Sequence, residues 1–78
     1  MKVYIAIWED RHIDTTAHAF SDKEKAIAWA RKQANECCEF KGDYKETDYH
    51  GLFQVSYSCE YDRITVIESV IDKEISKG

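Results

Sequence analysis

Phe20-Ser21-Asp22-Lys23-Glu24-Lys25-Ala26-Ile27-Ala28-Trp29-Ala30-Arg31-Lys32-Gln33-Ala34 is the stretch on which the fold turns. Ser21 and Glu24 have capping-box spacing, in which the serine oxygen accepts the Glu24 backbone N–H and the glutamate reaches back. Phe20 stands where a hydrophobic staple residue belongs, and Asp22 and Glu24 suit the positive end of a helix dipole. Ala26, Ile27, Ala30, Ala34, Cys37 and Cys38 then recur at helical spacing, with Trp29 at the edge of that stripe and charged residues on the other faces. The spacing predicts one amphipathic helix from about Asp22 to Glu39, stopped near Gly42 by a left-handed backbone.

Toward the N-terminus, Val3, Ile5 and Ile7 alternate with Tyr4, Ala6 and Trp8 at the two-residue period of a strand. Glu9 to His12 reads as a polar connection, and Ile13 to Phe20 as a second strand. Beyond the helix, residues 41–51 read as a polar loop between two glycines. Phe53, Val55, Tyr57, Cys59 and Tyr61 then alternate with polar neighbours, Asp62-Arg63 reads as a tight turn, and Ile64 to Ile71 completes a hairpin. Ile75 to Gly78 is a frayed tail. The order strand, strand, helix, strand, strand predicts a single α+β domain over 1–78. It is a two-layer sandwich, ββαββ, with a four-stranded antiparallel sheet and one helix on one face.

One helix covers one face only. Neither side of the first strand is polar, so whichever side is left bare is apolar; a bare Tyr4–Trp8 stripe is an unusual patch for a monomer. That predicts a homodimer or a docking surface. The alternative is a central first strand with loops covering Trp8.

At 78 residues the chain has room for one core. Hydrophobic residues at 44% and charged residues at 33% give the balance of a folded chain rather than a disordered one. The net charge of −4 argues against a nucleic-acid-coating surface, and Glu60, Asp62 and Glu68 argue against RNA stacking on Tyr57 or Tyr61. Charge is uneven: residues 1–35 carry a net +1 and residues 36–78 a net −5. This is read as surface solubility, or as an approach to a basic partner. The six-residue apolar run at the N-terminus falls short of a signal-peptide core of about 7–15 residues and of a membrane span. A cytoplasmic protein with no membrane attachment is therefore expected. Cys37, Cys38 and Cys59 are odd in number and lack CxxC spacing, which predicts free, largely buried thiols.

Chemistry-bearing residues crowd into Trp8-Glu9-Asp10-Arg11-His12-Ile13-Asp14-Thr15-Thr16-Ala17-His18. On an extended strand His12, Asp14, Thr16 and His18 share one side. The two histidines stand about 20 Å apart there, too far for one metal ion, so no metal or other cofactor is assigned. His12 beside Asp10 or Asp14 has the makings of a general base. Arg11 paired with Glu9 or Asp14, stiffening a turn, explains the same residues without chemistry. No nucleophile elbow, phosphate-cradling glycine loop or HExxH is present, so no catalytic residue is assigned. Trp29, Phe40, Tyr44 and Tyr49 are read either as an aromatic recognition surface or as packing at the helix edge.

The run Trp8 to Thr16, followed by Phe20-Ser21-Asp22, the Ala-Ile-Ala-Trp-Ala helix and the later Tyr57-Ser58-Cys59-Glu60, resembles a group of small uncharacterised proteins of bacteriophages and bacterial genomes. The resemblance spans most of the chain. It implies a phage or mobile-element accessory role but no catalytic residue. In size and acidity the chain is also similar to anti-CRISPR and other anti-defence inhibitors, which block a host surface. The leading expectation is therefore a non-enzymatic protein that binds a macromolecular partner. It would bind through Trp8, Glu9, Asp10, Arg11, His12, Asp14, Thr15, Thr16, His18 and Trp29. The alternatives are a small-ligand binder, such as a sponge for a signalling nucleotide, held by Arg11, His12, Thr15, Thr16 and Trp29, and a His/Asp-based hydrolase or metalloprotein.

Overall fold

The computed structural model describes residues 2–11, 13–49, 51–58 and 62–70. β1 (Lys2–Asp10) and β2 (Ile13–Phe20) form a hairpin, α1 (Lys23–Cys37) follows, and a 3-10 turn (Lys41–Asp43) leads into β3 (Lys45–Tyr49), β4 (Leu52–Ser56) and β5 (Arg63–Val70). The strands make one open sheet in the order β2-β1-β5-β4-β3, antiparallel at every pairing. The α+β class, the antiparallel sheet and the helix on one face match the expectation. The sheet has five strands rather than four.

The additional strand, β3, lies inside the stretch that reads as a polar loop. Every residue of Lys-Glu-Thr-Asp-Tyr at 45–49 is exposed, so no apolar alternation marks it. It exists because a turn at Gly51, where φ is +81°, folds the segment back onto β4 with Tyr49 opposite Leu52. The helix differs at both ends. Asp22, not Ser21, is the N-cap: it has extended backbone, and its Oδ1 accepts the Glu24 N–H at 3.0 Å. An aspartate caps as well as a serine and adds charge at the positive end of the dipole. At the other end the chain leaves α1 through Cys38 in an extended conformation, so no left-handed glycine is needed and Gly42 falls in the 3-10 turn. Cys59, Tyr61, Ile71 and the tail at 75–78 lie outside the described residues.

The core forms between α1 and one sheet face. Ala26, Ala30 and Ala34, four residues apart, are fully buried, and their small side chains let the helix sit close to the strands. The sheet supplies the bulk through Phe53, Val55, Tyr57, Ile64 and Val66, with Ala6 beneath the helix. Ala6 is buried and Tyr4 and Trp8 pack against this cluster, so the helix side of β1 is the Tyr4–Ala6–Trp8 side. The stripe left bare is Val3, Ile5 and Ile7; the conditional Tyr4–Trp8 patch does not form. No helix among the described residues is long and apolar enough to cross a membrane.

Candidate functional site

Among the described residues two surfaces stand out, on opposite sides of the sheet. The first is the bare face. Register places Ala19 beside Ile5 and Ile5 beside Ile67. Leu52, which precedes the Phe53–Val66 pair, continues the row toward Tyr49. An apolar row therefore crosses all five strands, with Leu52 39% and Tyr49 66% exposed at its far end. One row further on, Ile7 is flanked by Ala17 and Thr65, and Gln54 donates to the Thr65 hydroxyl at 3.0 Å. The row after that is charged: Arg63 Nε meets Glu9 Oε1 at 3.2 Å, and Ser56 and Lys45 extend it. The face thus grades from apolar to polar to charged along the strands.

The second surface is a cleft of about 500 Å³ on the helix side, between the tip of the β1–β2 hairpin, the C-terminal end of α1 and the segment after β4. Trp8, Tyr57 and Phe40 give it aromatic walls, and Asp10, Asp62, Asp43 and Glu39 line it with carboxylates, against Arg11. Tyr57 organises its floor: the phenol accepts Trp8 Nε1–H at 2.8 Å and donates to Asp10 Oδ2. Burial first, and then the bond to Asp10, raises the Tyr57 ionisation above its ordinary range. Asp62 is 5% exposed; its Oδ1 accepts the Arg11 backbone N–H at 3.0 Å and its carbonyl accepts the Tyr57 N–H at 3.2 Å. Asp62 is therefore an internal brace between two chain segments rather than part of an exposed tight turn. Cys37 also lines the cleft, its thiol pushed up chiefly by burial and then by the negative charge of Asp10, Glu36 and Asp62.

The predicted partner-binding segment does not act as one surface. Trp8, Thr16 and His18 point to the helix side, where His18 packs on Trp29 with ring centroids 4.6 Å apart and Trp8 meets Trp29 edge-on at 5.7 Å. Glu9 points to the bare face and pairs with Arg63, not with Arg11. Asp10 and Arg11 reach the cleft. Asp14 and Thr15 are exposed where β2 carries one extra residue opposite β1, so strict alternation breaks there. Asp14 therefore cannot be assigned to the side of Thr16 and His18 by counting. His12 lies outside the described residues.

The four aromatics proposed as a recognition surface are also dispersed. Trp29 sits under the hairpin with Phe20 and His18, Tyr44 packs on the core edge and donates to Glu46, Phe40 rims the cleft, and Tyr49 belongs to the bare face. Cys37 is exposed and Cys38 half-buried, both free, so the expectation of buried thiols fails for the first of them because α1 ends there. Sequence reasoning missed Asp62 and Asp43 as site residues; the chain brings them to the cleft of Trp8 from far along its length, and no periodicity reports that. Among the described residues no three His, Cys, Asp or Glu side chains come together to hold a metal ion.

No family model, no curated protein and no solved structure matches the chain.

Proposed function

We propose that this is a non-enzymatic binding protein that seats another protein on the bare face of its sheet. The observation that supports the reading is the uninterrupted apolar row from Ala19 through Ile5 and Ile67 to Leu52 and Tyr49, on the face opposite the one helix among the described residues. The gradation beside it has the anatomy of a protein interface, an apolar centre with a polar and charged rim. With strands of 9, 8, 5, 5 and 8 residues, each residue covering about 3.4 Å by 4.8 Å, the face measures about 570 Å², which suits a small interface below the ~800 Å² that one partner contributes to a standard one. Such a protein works by occupying its partner's surface, which is also how an anti-defence inhibitor acts.

The test is affinity capture followed by cross-linking at engineered positions on the face. Wild type is expected to hold a partner that the exposed-position variant Leu52→Asp/Tyr49→Asp releases, with folding of the variant checked by circular dichroism. Equal capture by wild type and variant removes the reading. Light scattering across a concentration series shows whether the captured partner is a second copy of the chain.

A further inference from the structure

We propose that the cleft at the hairpin tip is a binding site for an organic cation: an ammonium or guanidinium group on an apolar stem, supplied by a free amine or by a lysine or arginine side chain of another protein. The site is separate from the bare face, on the other side of the sheet.

Three independent features converge on that ligand chemistry. The first is shape. About 500 Å³ of concave space lies within the range of small-molecule sites, and its walls are aromatic and apolar where Trp8, Tyr57, Phe40 and Ile13 line it. A bare metal ion needs no such walls, whereas an alkyl stem does, and a cation is attracted to ring faces within about 6 Å. The second is charge. Four carboxylates, of Asp10, Glu39, Asp43 and Asp62, face one guanidinium, that of Arg11, among the described lining residues. A phosphate-bearing ligand meets net repulsion there, which counts against the nucleotide-sponge reading. The upward displacement of the Cys37 thiol by burial, Asp10 and Asp62 registers the same negative field.

The third feature is Asp62 itself. The residue is 95% withdrawn from solvent, and its Oδ1 is bonded by the uncharged Arg11 N–H. Among the described residues no group bonds Oδ2. Asp62 lines the cleft, so that oxygen belongs to its wall. A carboxylate this withdrawn is costly unless a donor satisfies it. An ammonium or guanidinium entering between the aromatic walls supplies a charged donor to that oxygen.

The cleft carries its own reporters, because the Arg11 amide bonds Asp62 and the Trp8 indole N–H bonds Tyr57. The experiment is a titration followed by 1H–15N NMR with n-butylammonium, with 1-butanol and butyrate as neutral and anionic counterparts, and with lysine capped at both ends. The expected result is saturable movement of both reporter signals with butylammonium and none with butyrate. Affinity should fall about tenfold in Asp62→Asn, the equivalent of one charge-assisted hydrogen bond. The variant Glu39→Gln/Asp43→Asn, which leaves every buried core side chain in place, should weaken binding in the same direction and decides the matter if Asp62→Asn does not fold. Capped lysine binding as well as butylammonium identifies a protein side chain as the source; butylammonium binding alone identifies a free amine. The proposal is overturned if butanol moves the reporters as far as butylammonium, if no probe gives saturable movement, or if both carboxylate variants bind unchanged.

Discussion

Tyr57 joins the two halves of the chain through a single hydroxyl. It accepts from Trp8 and donates to Asp10, and its backbone N–H reaches the Asp62 carbonyl, so β1 and the approach to β5 are tied at one point. Replacing it with phenylalanine keeps the ring but strips the Trp8 indole N–H of the Tyr57 oxygen and removes one of the bonds to the Asp10 carboxylate. A loss of about 1–3 kcal/mol follows from stranding such groups. The hydroxyl also sets a pH limit. Tyr57 ionises above its ordinary value of about 10, because of burial and then Asp10, and Tyr44 is pushed up to about 12 by burial and then by its bond to Glu46. A group whose folded pKa exceeds its unfolded one contributes stability that is complete below the unfolded value and is lost as pH rises through the folded one. Urea midpoints measured at stepped pH are therefore expected to be insensitive to these two groups up to about pH 10 and to decline above it. Tyr57→Phe should start lower at neutral pH and decline less steeply, and an alkaline limb identical to that of wild type would contradict the assignment. The inward direction of Tyr57 is legible in the alternation Phe53, Val55, Tyr57. Its bond to Asp10 is not, because a two-residue period reports which face a side chain takes and nothing about its partner across the sheet.

The helix and the edge strand β3 show where element-level signals begin and end. The existence of α1 is readable from capping chemistry and a four-residue alanine spacing, while its cap falls one residue later, at Asp22, and its end falls at Cys37 rather than about Glu39. The span of β2, Ile13–Phe20, agrees with the sequence despite weak alternation, and β4 pairs with β5 as a hairpin, although β4 ends at Ser56 and Tyr57 and Ser58, read as strand, lie beyond it. β3 carries no burial on either side, and its place comes from Gly51 and from contacts made at long range. Arg31 on α1 grips Glu46 with two nitrogens, Nε and Nη2, each at 3.0 Å, and the Tyr44 hydroxyl donates to the same carboxylate. Arg31 also lies over the Phe53 ring, 5.4 Å from its centroid. The hydrogen bond from Arg31 is the main reason Glu46 ionises more readily than an ordinary glutamate. Because the pair is exposed, its net contribution is small, about 0.2–1 kcal/mol. Its effect should be local instead. Glu46→Gln is expected to shift the global unfolding midpoint little while raising hydrogen exchange at the β3 amides well above that at β5. Uniform acceleration across both strands would mean that β3 is held by the sheet alone.

At the scale of the molecule, the alternation of side chains sorts the chain's functional residues onto two surfaces, which meet only at one edge, where Asp43 and Ser58 of the cleft stand beside Lys45, Gln54, Ser56 and Arg63 of the bare face. Glu9, Ile5 and Ile67 face one way; Trp8, Asp10 and Tyr57 face the other. The sequence concentrates polar chemistry between Trp8 and His18, but folding divides that segment, so a cluster that is dense along the chain is not one site in space. What makes the cleft is instead the convergence of the hairpin tip with Phe40, Asp43 and Asp62, which follow the helix. What makes the bare face is that a single helix cannot cover both sides of five strands. Mutational effects at well-separated positions without shared partners add to within about 0.3–0.5 kcal/mol, which is about a twofold change in affinity. The two surfaces should therefore behave as independent sites. Leu52→Asp/Tyr49→Asp is expected to abolish partner capture while leaving butylammonium affinity at the cleft within about twofold of wild type. Glu39→Gln/Asp43→Asn is expected to weaken the amine and leave partner capture intact. Both measurements need only the variants already described, read by NMR titration and by capture. Coupling well beyond twofold in either direction would show that β1, the strand common to both surfaces, transmits between them, and that a partner on one face alters the ligand held on the other.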